Sequence, residues 1–335
     1  VLDEENIPTM LMDIHASGDS VPGKEIGIHA VDTERGVRFF FDADDGINGR
    51  ELWVSDGTSL GTTMLGDMEQ GDAIDWTSEI TSWMNGVVFT TDGSQGKRMW
   101  WSNGSVTTSI WQAPWFSSSA SSNLVNQSTT LSSFGEGLLY GDAHGLWFAG
   151  EEAQMGLEMM FLSADGLLHI YDLQPFGDSS PSEGLSVEDG FIVAAGDGTG
   201  RQLAKLDLDG NFQWLTSMTR EGTTTPISVI APAFGIQKLG DVIVFDAVHR
   251  NVDATLFAYS LTTGNLQELS STIFAPGHSN EVVTDGSTIW FDCVLGHTGM
   301  EICQTDGTVS GTTLTVDLIP GVSTSQPRSM VFVDS

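Results

Sequence analysis

The sequence predicts an all-β protein, a β-propeller of four-stranded antiparallel blades, and three observations lead to this prediction. First, the 335 residues show almost none of the apolar spacing of amphipathic helices, and Gly, Ser, Thr and Asp interrupt the chain every few residues. Second, the chain repeats itself with a period of roughly 50 residues, which is the length of a propeller blade. Third, two series of glycines keep step with that repeat.

The repetition is clearest between two segments near the ends of the chain. Residues 39–63 (FFFDADDGINGRELWVSDGTSLGTT) align without a gap with residues 289–313 (IWFDCVLGHTGMEICQTDGTVSGTT). The first glycine series opens an apolar strand in each unit: Gly36, Gly86, Gly145, Gly190, Gly240 and Gly286. The second series follows the next strand: Gly57, Gly104, Gly166, Gly210, Gly264 and Gly307. Glycine after Asp or Asn supplies the positive φ of tight hairpin turns, so the second series marks turns between strands.

Each unit is predicted to hold four strands, and the chain 1–335 is predicted to be a single propeller domain. In the first unit, an inner strand precedes Gly36 and is followed by strands at 37–41, 51–55 and 62–68. The predicted repeats cover residues 26–68, 78–112, 137–173, 185–218, 234–270 and 280–318. Radial repetition of such units solves the edge-strand problem of a sheet. A β-sandwich would not repeat so regularly, and a solenoid would normally need capping units at both ends.

The two ends of the chain, residues 1–25 and 319–335, are predicted to be closing segments. Residues 9–14 (TMLMDI) resemble a fourth strand, and residues 330–334 (MVFVD) resemble an inner strand. One blade built from both ends would give seven blades. Six blades with extra terminal strands, or a chain cut from a longer protein, are the alternatives.

The first repeat also resembles a known sequence family. Residues 51–65, ELWVSDGTSLGTTML, are similar to the ELW-x-SDGT-x-x-GT repeat of large secreted and surface proteins of marine and soil prokaryotes, sometimes called the hyalin-like repeat. The sixth unit keeps the pattern with Cys303 in place of the tryptophan, and the units between carry degenerate forms. The resemblance implies a propeller in an exported protein, extracellular or at a cell surface, and it brings no catalytic residues.

The charge of the chain excludes several classes of partner. Asp and Glu number 45 against 12 Lys and Arg, which gives a formal net charge of −33. Nucleic-acid binding needs a basic surface that this chain lacks. Anionic membrane surfaces repel it, and no apolar run reaches the roughly 20 residues of a spanning helix, so no membrane insertion is expected. The acidity fits a marine or saline setting, and the alternative is an acidic protein of an ordinary compartment. The sequence leaves the oligomeric state open.

The two cysteines and two glycosylation sequons bear on the cellular compartment of the protein. Cys293 and Cys303 flank a turn segment, so they are predicted to face each other across a hairpin as a disulfide, which implies an oxidising compartment. Asn103 and Asn126 begin Asn-x-Ser sequons that are compatible with a glycosylated exterior, although a Ser-rich chain also produces such triplets by chance.

A binding site is predicted where the units differ most. The extension 111–130 (WQAPWFSSSASSNLVNQSTT) carries Trp111, Trp115 and Phe116. Exposed aromatic rings anchor interfaces, so these three residues are predicted to contact a glycan or a protein partner at a cell surface. The alternative is that they pack between neighbouring blades.

No cofactor is required by the sequence, and calcium is the one candidate ion. Asp42, Asp44, Asp45 and Asn48 gather hard oxygen ligands in one turn but lack the full spacing of an EF-hand loop. The alternative is an acidic hairpin turn.

No sequence pattern selects a catalytic site. The chain lacks a His-Glu-x-x-His site and the Ser-x-Asp-x-Gly-x-Thr-Trp box of sialidases. The recurring Glu51, Glu158 and Glu301 are expected to orient hairpins. We therefore expect a non-enzymatic binding or structural module of an exported protein. The alternative is a glycoside hydrolase or lyase with carboxylates in the central funnel, which a cluster of Asp, Glu, Arg and aromatic residues would favour.

Overall fold

The structure is a computed structural model that describes residues 10–68, 80–93, 96–110, 131–152, 154–219, 235–248, 254–274, 282–295, 298–327 and 330–333. Within these ranges the regular secondary structure consists of β-strands, with no α-helix. Over the same ranges, no helix is long and apolar enough to span a bilayer.

The first three blades are four-stranded antiparallel sheets whose strands pair mostly in sequence order. The strands of the first blade are β1 (Ile28–Thr33), β2 (Gly36–Asp44), β3 (Arg50–Ser55) and β4 (Thr63–Met64). Those of the second are β5 (Ile80–Trp83), β6 (Gly86–Gly93), β7 (Gly96–Ser102) and β8 (Thr107–Ser109). Those of the third are β9 (Leu131–Gly141), β10 (Gly145–Glu152), β11 (Gly156–Ser163) and β12 (Leu168–Tyr171).

The next three blades repeat this pattern. The strands of the fourth blade are β13 (Glu183–Val187), β14 (Gly190–Gly196), β15 (Arg201–Leu206) and β16 (Phe212–Trp214). Those of the fifth are β17 (Ile236–Leu239), β18 (Val242–Ala247), β19 (Thr255–Ser260) and β20 (Leu266–Glu268). A short strand β21 (Ile273–Phe274) pairs with both β19 and β23, and so joins the fifth blade to the sixth. The strands of the sixth are β22 (Val282–Thr284), β23 (Ile289–Leu295), β24 (Met300–Thr305) and β25 (Thr313–Val316).

Six four-stranded antiparallel blades confirm the predicted β-propeller fold. The second glycine series occupies the turns it was predicted to occupy, because all six members have φ between 69° and 92°: Gly57, Gly104, Gly166, Gly210, Gly264 and Gly307. A side chain at this φ is strained, so glycine is the residue that the turn requires.

The contacts divide the chain into two compact units, one comprising Val1–Asp172 with Leu208–Gly210, and the other Leu173–Asp207 with Asn211–Ser335. Inside each unit the core lies between adjacent blades. In the first unit, Phe40 and Leu52 of one blade pack with Val87 and Phe89 of the next. In the second unit, a similar cluster joins the fourth and fifth blades: Ile192, Ala194, Leu203, Ile243, Phe245 and Phe257.

The SDGT-x-x-GT motif forms a hydrogen-bonded turn between the third and fourth strands of the first blade. Asp56 Oδ1 accepts the Thr58 N–H at 2.9 Å and the Thr58 hydroxyl at 2.7 Å, and Thr58 Oγ1 accepts the Gly61 N–H at 2.9 Å. Thr62 donates to the Thr58 carbonyl at 2.7 Å and lies 2.7 Å from Ser55 Oγ. Each polar residue of the motif is therefore used by the turn itself.

The sixth blade builds the same turn from its own copy of the motif. Asp306 Oδ1 accepts both donors of Thr308, at 2.9 and 2.7 Å, and Thr308 Oγ1 accepts the Gly311 N–H at 3.0 Å. Thr312 donates to the Thr308 carbonyl at 2.7 Å and lies 2.7 Å from Thr305 Oγ1. The motif recurs because it fixes a turn.

Gly61→Ala is expected to lower the free energy of unfolding by about 1–2 kcal/mol. A Cβ at Gly61 would lie 1.9 Å from Asp56 Oδ1, so the Asp56 carboxylate must leave its two bonds to Thr58. Gly311→Ala should lower the free energy of unfolding by the same amount, because a Cβ there would lie 2.0 Å from Asp306 Oδ1. Urea unfolding measures both, with Ser59→Ala in the same loop as the neutral control. Unequal or negligible losses would show that the turn does not depend on this network.

The N-terminal segment lies against one face of the first blade. Ile14 packs against Phe41 and Trp53. An apolar groove of about 480 Å³ lies beside it and is lined in part by Met12 and Phe39. This segment includes the described part of the predicted fourth strand of a closing blade.

The C-terminal segment lies against the sixth blade within the second unit. Phe332 stacks on Trp290 with ring centroids 5.9 Å apart. Upstream, the Ser325 hydroxyl donates to the Met300 carbonyl at 2.9 Å. Residues 10–14 and 330–333 form no regular strand, so the described chain shows six blades and the split seventh blade stays a prediction.

Candidate acid-base site

One polar position recurs on the third strand of every blade. Its occupants are Glu51, Arg98, Glu158, Gln202, Thr255 and Glu301. Glu51 Oε2 accepts the Met68 N–H at 3.3 Å, and Glu301 Oε2 accepts the Leu318 N–H at 2.9 Å. These carboxylates therefore bind the chain that leaves the fourth strand, which is a structural use.

A second acidic position lies near the end of the second strand, and in the first blade its carboxylate has a full set of partners. Asp42 is completely buried. Its Oδ1 accepts the Glu25 N–H at 3.2 Å and the Ile26 N–H at 3.1 Å, and its Oδ2 forms an ion pair with Arg50. A buried carboxylate needs such donors and a counterion, and here it has both.

Asp246 occupies the same position in the fifth blade without those partners. It faces Leu256 across the β18–β19 ladder as Asp42 faces Leu52 in the first blade. The place that an arginine takes in the first blade is taken here by Ala254. Asp246 is completely buried, and among the described residues neither of its carboxylate oxygens has a hydrogen-bond partner.

This isolation changes the protonation of Asp246. Burial raises its pKa to about 8, and the negative charge of Glu183 adds to the rise. Asp246 is therefore protonated at neutral pH, unlike an ordinary aspartate.

The carboxyl of Glu183, on β13, lies beside Asp246. A Cβ at Gly235 would lie 3.3 Å from Glu183 Oε2, and Gly235 stands level with Asp246 because the next residue, Ile236, pairs with Phe245. Glu183 is half-buried, and within the part of the chain that the structure describes its Oε2 has no hydrogen-bond partner. Glycine at position 235 therefore leaves room for the Glu183 carboxyl at this edge of the fifth blade, and its charge reaches Asp246.

Arg201 supplies the positive charge of the site. It begins β15 at the position that Arg50 has in the first blade, but its own second strand carries Ala194 where the first blade has Asp42. Its Nη2 donates to the Ser180 carbonyl at 2.9 Å and contacts Ser182 Oγ.

Burial and mutual attraction set the protonation of this arginine and its neighbour. Burial raises the pKa of Glu183, and the Arg201 charge offsets part of that rise. Burial lowers the pKa of Arg201, with Glu183 opposing the change, and a guanidinium keeps its charge at neutral pH. The site thus combines a protonated carboxyl, a second carboxyl and a fixed cation at one edge of the fourth and fifth blades.

The residues predicted to bind a ligand or partner, Trp111, Trp115 and Phe116, lie outside the described residues, and so does the sequon Asn126. The other sequon residue, Asn103, uses its side-chain oxygen inside a tight turn. Its Oδ1 accepts the N–H groups of Ser105 and Val106, each at 3.0 Å.

The residues predicted as calcium ligands use their oxygens within the protein. Asp42 is paired with Arg50, as described above. Asp44 Oδ1 accepts the Gly46 N–H at 2.7 Å, and Asp45 binds both the main chain and the side chain of Asn48. No group of three or more His, Cys, Asp or Glu arranged to hold a metal occurs in the described part of the chain.

Cys293 and Cys303 are joined by a disulfide across the β23–β24 hairpin, with an S–S distance of 2.05 Å and a Cα–Cα distance of 5.7 Å. Both residues are fully buried in the core between the fifth and sixth blades.

The sequence alone did not reveal Glu183, Arg201 or Asp246. A signal was present in the alignment of the repeats, where Asp246 aligns with Asp42 and Arg201 aligns with Arg50. The fourth unit has the arginine without the aspartate, and the fifth unit has the aspartate without the arginine. An aspartate without its arginine could have been noticed in that alignment.

No family model and no curated protein matches the chain. Solved structures do match in fold. A puromycin-hydrolyzing peptidase of Mycobacterium tuberculosis has a TM-score of 0.54 at 12% identity, covering 93% of this chain and 47% of that one. The S511A mutant of puromycin hydrolase complexed with PGG has a TM-score of 0.50 at 14% identity, covering 91% and 47%. A structure from a study of two prolyl endopeptidases has a TM-score of 0.50 at 12% identity, covering 86% and 41%.

The chain spans less than half the length of these three proteins. The comparison contradicts the expectation of a non-enzymatic module, because the similar structures are those of enzymes. At identities of 12–14% the likeness shows the fold alone. The chain therefore has the β-propeller fold.

Proposed function

We propose that the chain is an acid-base enzyme that acts through the carboxyl pair Glu183 and Asp246. The observation that carries this proposal is the complete burial of Asp246 without a hydrogen-bond partner among the described residues, within reach of the charge of Glu183. An unpaired buried carboxyl costs stability and gives no structural contact in return. Perturbed carboxyl pairs of this kind are typical of catalytic sites.

The two carboxyls have different roles because they differ in exposure. Glu183 is the half-buried member and is the group that touches the substrate. Asp246 is fully buried and acts through Glu183 by keeping a proton available to it at neutral pH. Arg201 holds the Glu183 carboxyl in place by its charge and limits the rise of its pKa.

A neutral glycan is the substrate class that fits this site. Glycosidic bonds are cleaved by carboxyl groups that give and take protons. Asp246 passes its proton to the Glu183 carboxylate, and Glu183 gives that proton to the glycosidic oxygen as the C–O bond breaks. A water molecule then gives its hydroxyl to the sugar carbon, and its proton returns to the pair. The net charge of −33 disfavours the approach of an anionic substrate.

The test is hydrolysis of 4-nitrophenyl glycosides of neutral sugars and of laminarin, xylan and galactomannan. Glu183→Gln is expected to lower kcat by about 10²–10⁴-fold, the usual contribution of a general acid or base. Glu188→Gln, an exposed change in the same blade, is the control and should leave kcat unchanged.

Asp246→Asn gives a second, independent readout. The wild-type rate should fall as pH rises through about 8, where Asp246 loses its proton, and this alkaline limb should move in the variant. A wild-type protein that cleaves none of these substrates, or a Glu183→Gln variant of full activity, would contradict the proposal.

A further inference from the structure

The loop that leads into β13 presents a fully exposed aromatic residue. Phe176 is 100% exposed and has a φ of +68°. A bulky residue in the left-handed region is strained, and an exposed ring gains nothing from burial. Strained positions of this kind cluster at ligand clamps.

The structure holds Phe176 in this position by hydrogen bonds on both sides of it. The Gly177 N–H donates to the Gln174 carbonyl at 3.0 Å, and this bond closes a four-residue turn that contains Phe176. Ser179 is almost completely buried, and its carbonyl accepts the Gly196 N–H at 2.6 Å. The loop is thereby attached to the end of β14.

The same loop reaches the acid-base site. Ser180, four residues after the phenylalanine, also has a positive φ of 45°, and its carbonyl accepts from Arg201 at 2.9 Å. Arg201 in turn acts on Glu183 through its charge. Phe176 therefore stands on the edge of the fourth blade that carries the site.

We propose that Phe176 is the platform on which a sugar ring of a neutral glycan stacks as the glycan reaches Glu183. This inference rests on the proposed function and adds a residue that binds and selects the substrate. An aromatic face offers a large apolar area with little loss of side-chain entropy, and it accepts the apolar face of a pyranose without needing charge.

The first test replaces Phe176 by Gly. Glycine adopts positive φ without strain, so the variant is expected to unfold at the same temperature as wild type or higher. Its KM for the 4-nitrophenyl glycoside that is cleaved fastest should rise about tenfold, while kcat and the pH profile stay close to wild type. Phe176→Tyr should restore KM. Leu60→Ala, at a residue of similar exposure in the first blade, is the control and should leave KM unchanged.

The second test does not depend on activity. The protein is labelled with ¹³C in its phenylalanine rings, and the Phe176 signal, assigned with the Gly variant, is followed during addition of laminarin, xylan and galactomannan. We expect the Phe176 signal to shift on addition of one of these three glycans. A Phe176 signal that moves with none of the three would overturn this inference. Full activity of Glu183→Gln together with a moving Phe176 signal would instead overturn the proposed function and leave the binding platform standing.

Discussion

Asp246→Asn is expected to stabilise the protein at pH 7 by about 4 kcal/mol, although it alters the proposed active site. The folded state keeps the Asp246 proton up to about pH 8, whereas an aspartate in the unfolded chain releases it near pH 4. Between these values the folded state binds one more proton. The free energy of unfolding therefore falls as pH rises, by about 1.4 kcal/mol per pH unit, and the asparagine removes this loss.

Urea unfolding of both proteins at intervals from pH 4 to pH 9 measures this effect. The two curves should meet near pH 4, separate steadily to about pH 8 and then run in parallel. Glu188→Gln should follow wild type throughout. Curves for Asp246→Asn and wild type that stay together across the range would mean that Asp246 is ionised at neutral pH. Gain of stability with altered activity is characteristic of a functional site rather than a structural one.

Arg50→Ala is expected to lower the free energy of unfolding by about 3–5 kcal/mol, because it leaves Asp42 buried without its cation. Asp42 is fully buried and the Arg50 side chain is 14% exposed, so solvent screens the pair little. The double variant Asp42→Asn, Arg50→Ala should recover much of this loss. Arg35→Ala, at an exposed arginine, is the control and should cost little.

Much of the fold was predictable because it depends on local chemistry repeated along the chain. The positive φ of Gly57 and Gly307 follows from the Asp-Gly dipeptides in the sequence, and two such series locate the blades. Cys293 and Cys303 lie opposite each other because a hairpin joins them, and a hairpin is a local feature. The number of blades was less predictable, since the chain ends carry no complete copy of the repeat.

The candidate site was not predictable in the same way because its members come from different blades. Glu183 and Asp246 meet only after the fourth and fifth blades pack together, and among 45 acidic residues neither stands out by its neighbours in sequence. Phe176 is a single aromatic residue in a loop, and only its exposure and φ distinguish it. The prediction of a non-enzymatic module followed from the absence of a catalytic motif, and a pair assembled by tertiary structure leaves no motif.

The central claim is that Asp246 holds a proton at neutral pH beside Glu183. The most direct measurement is a pH titration of the aspartate side-chain ¹³C carboxyl signals by NMR, with Asp246 assigned from the spectrum of Asp246→Asn. The account predicts that this carboxyl titrates near pH 8, with Glu183→Gln lowering its pKa by removing a neighbouring negative charge. An Asp246 signal that titrates near pH 4 in the folded protein would contradict the account.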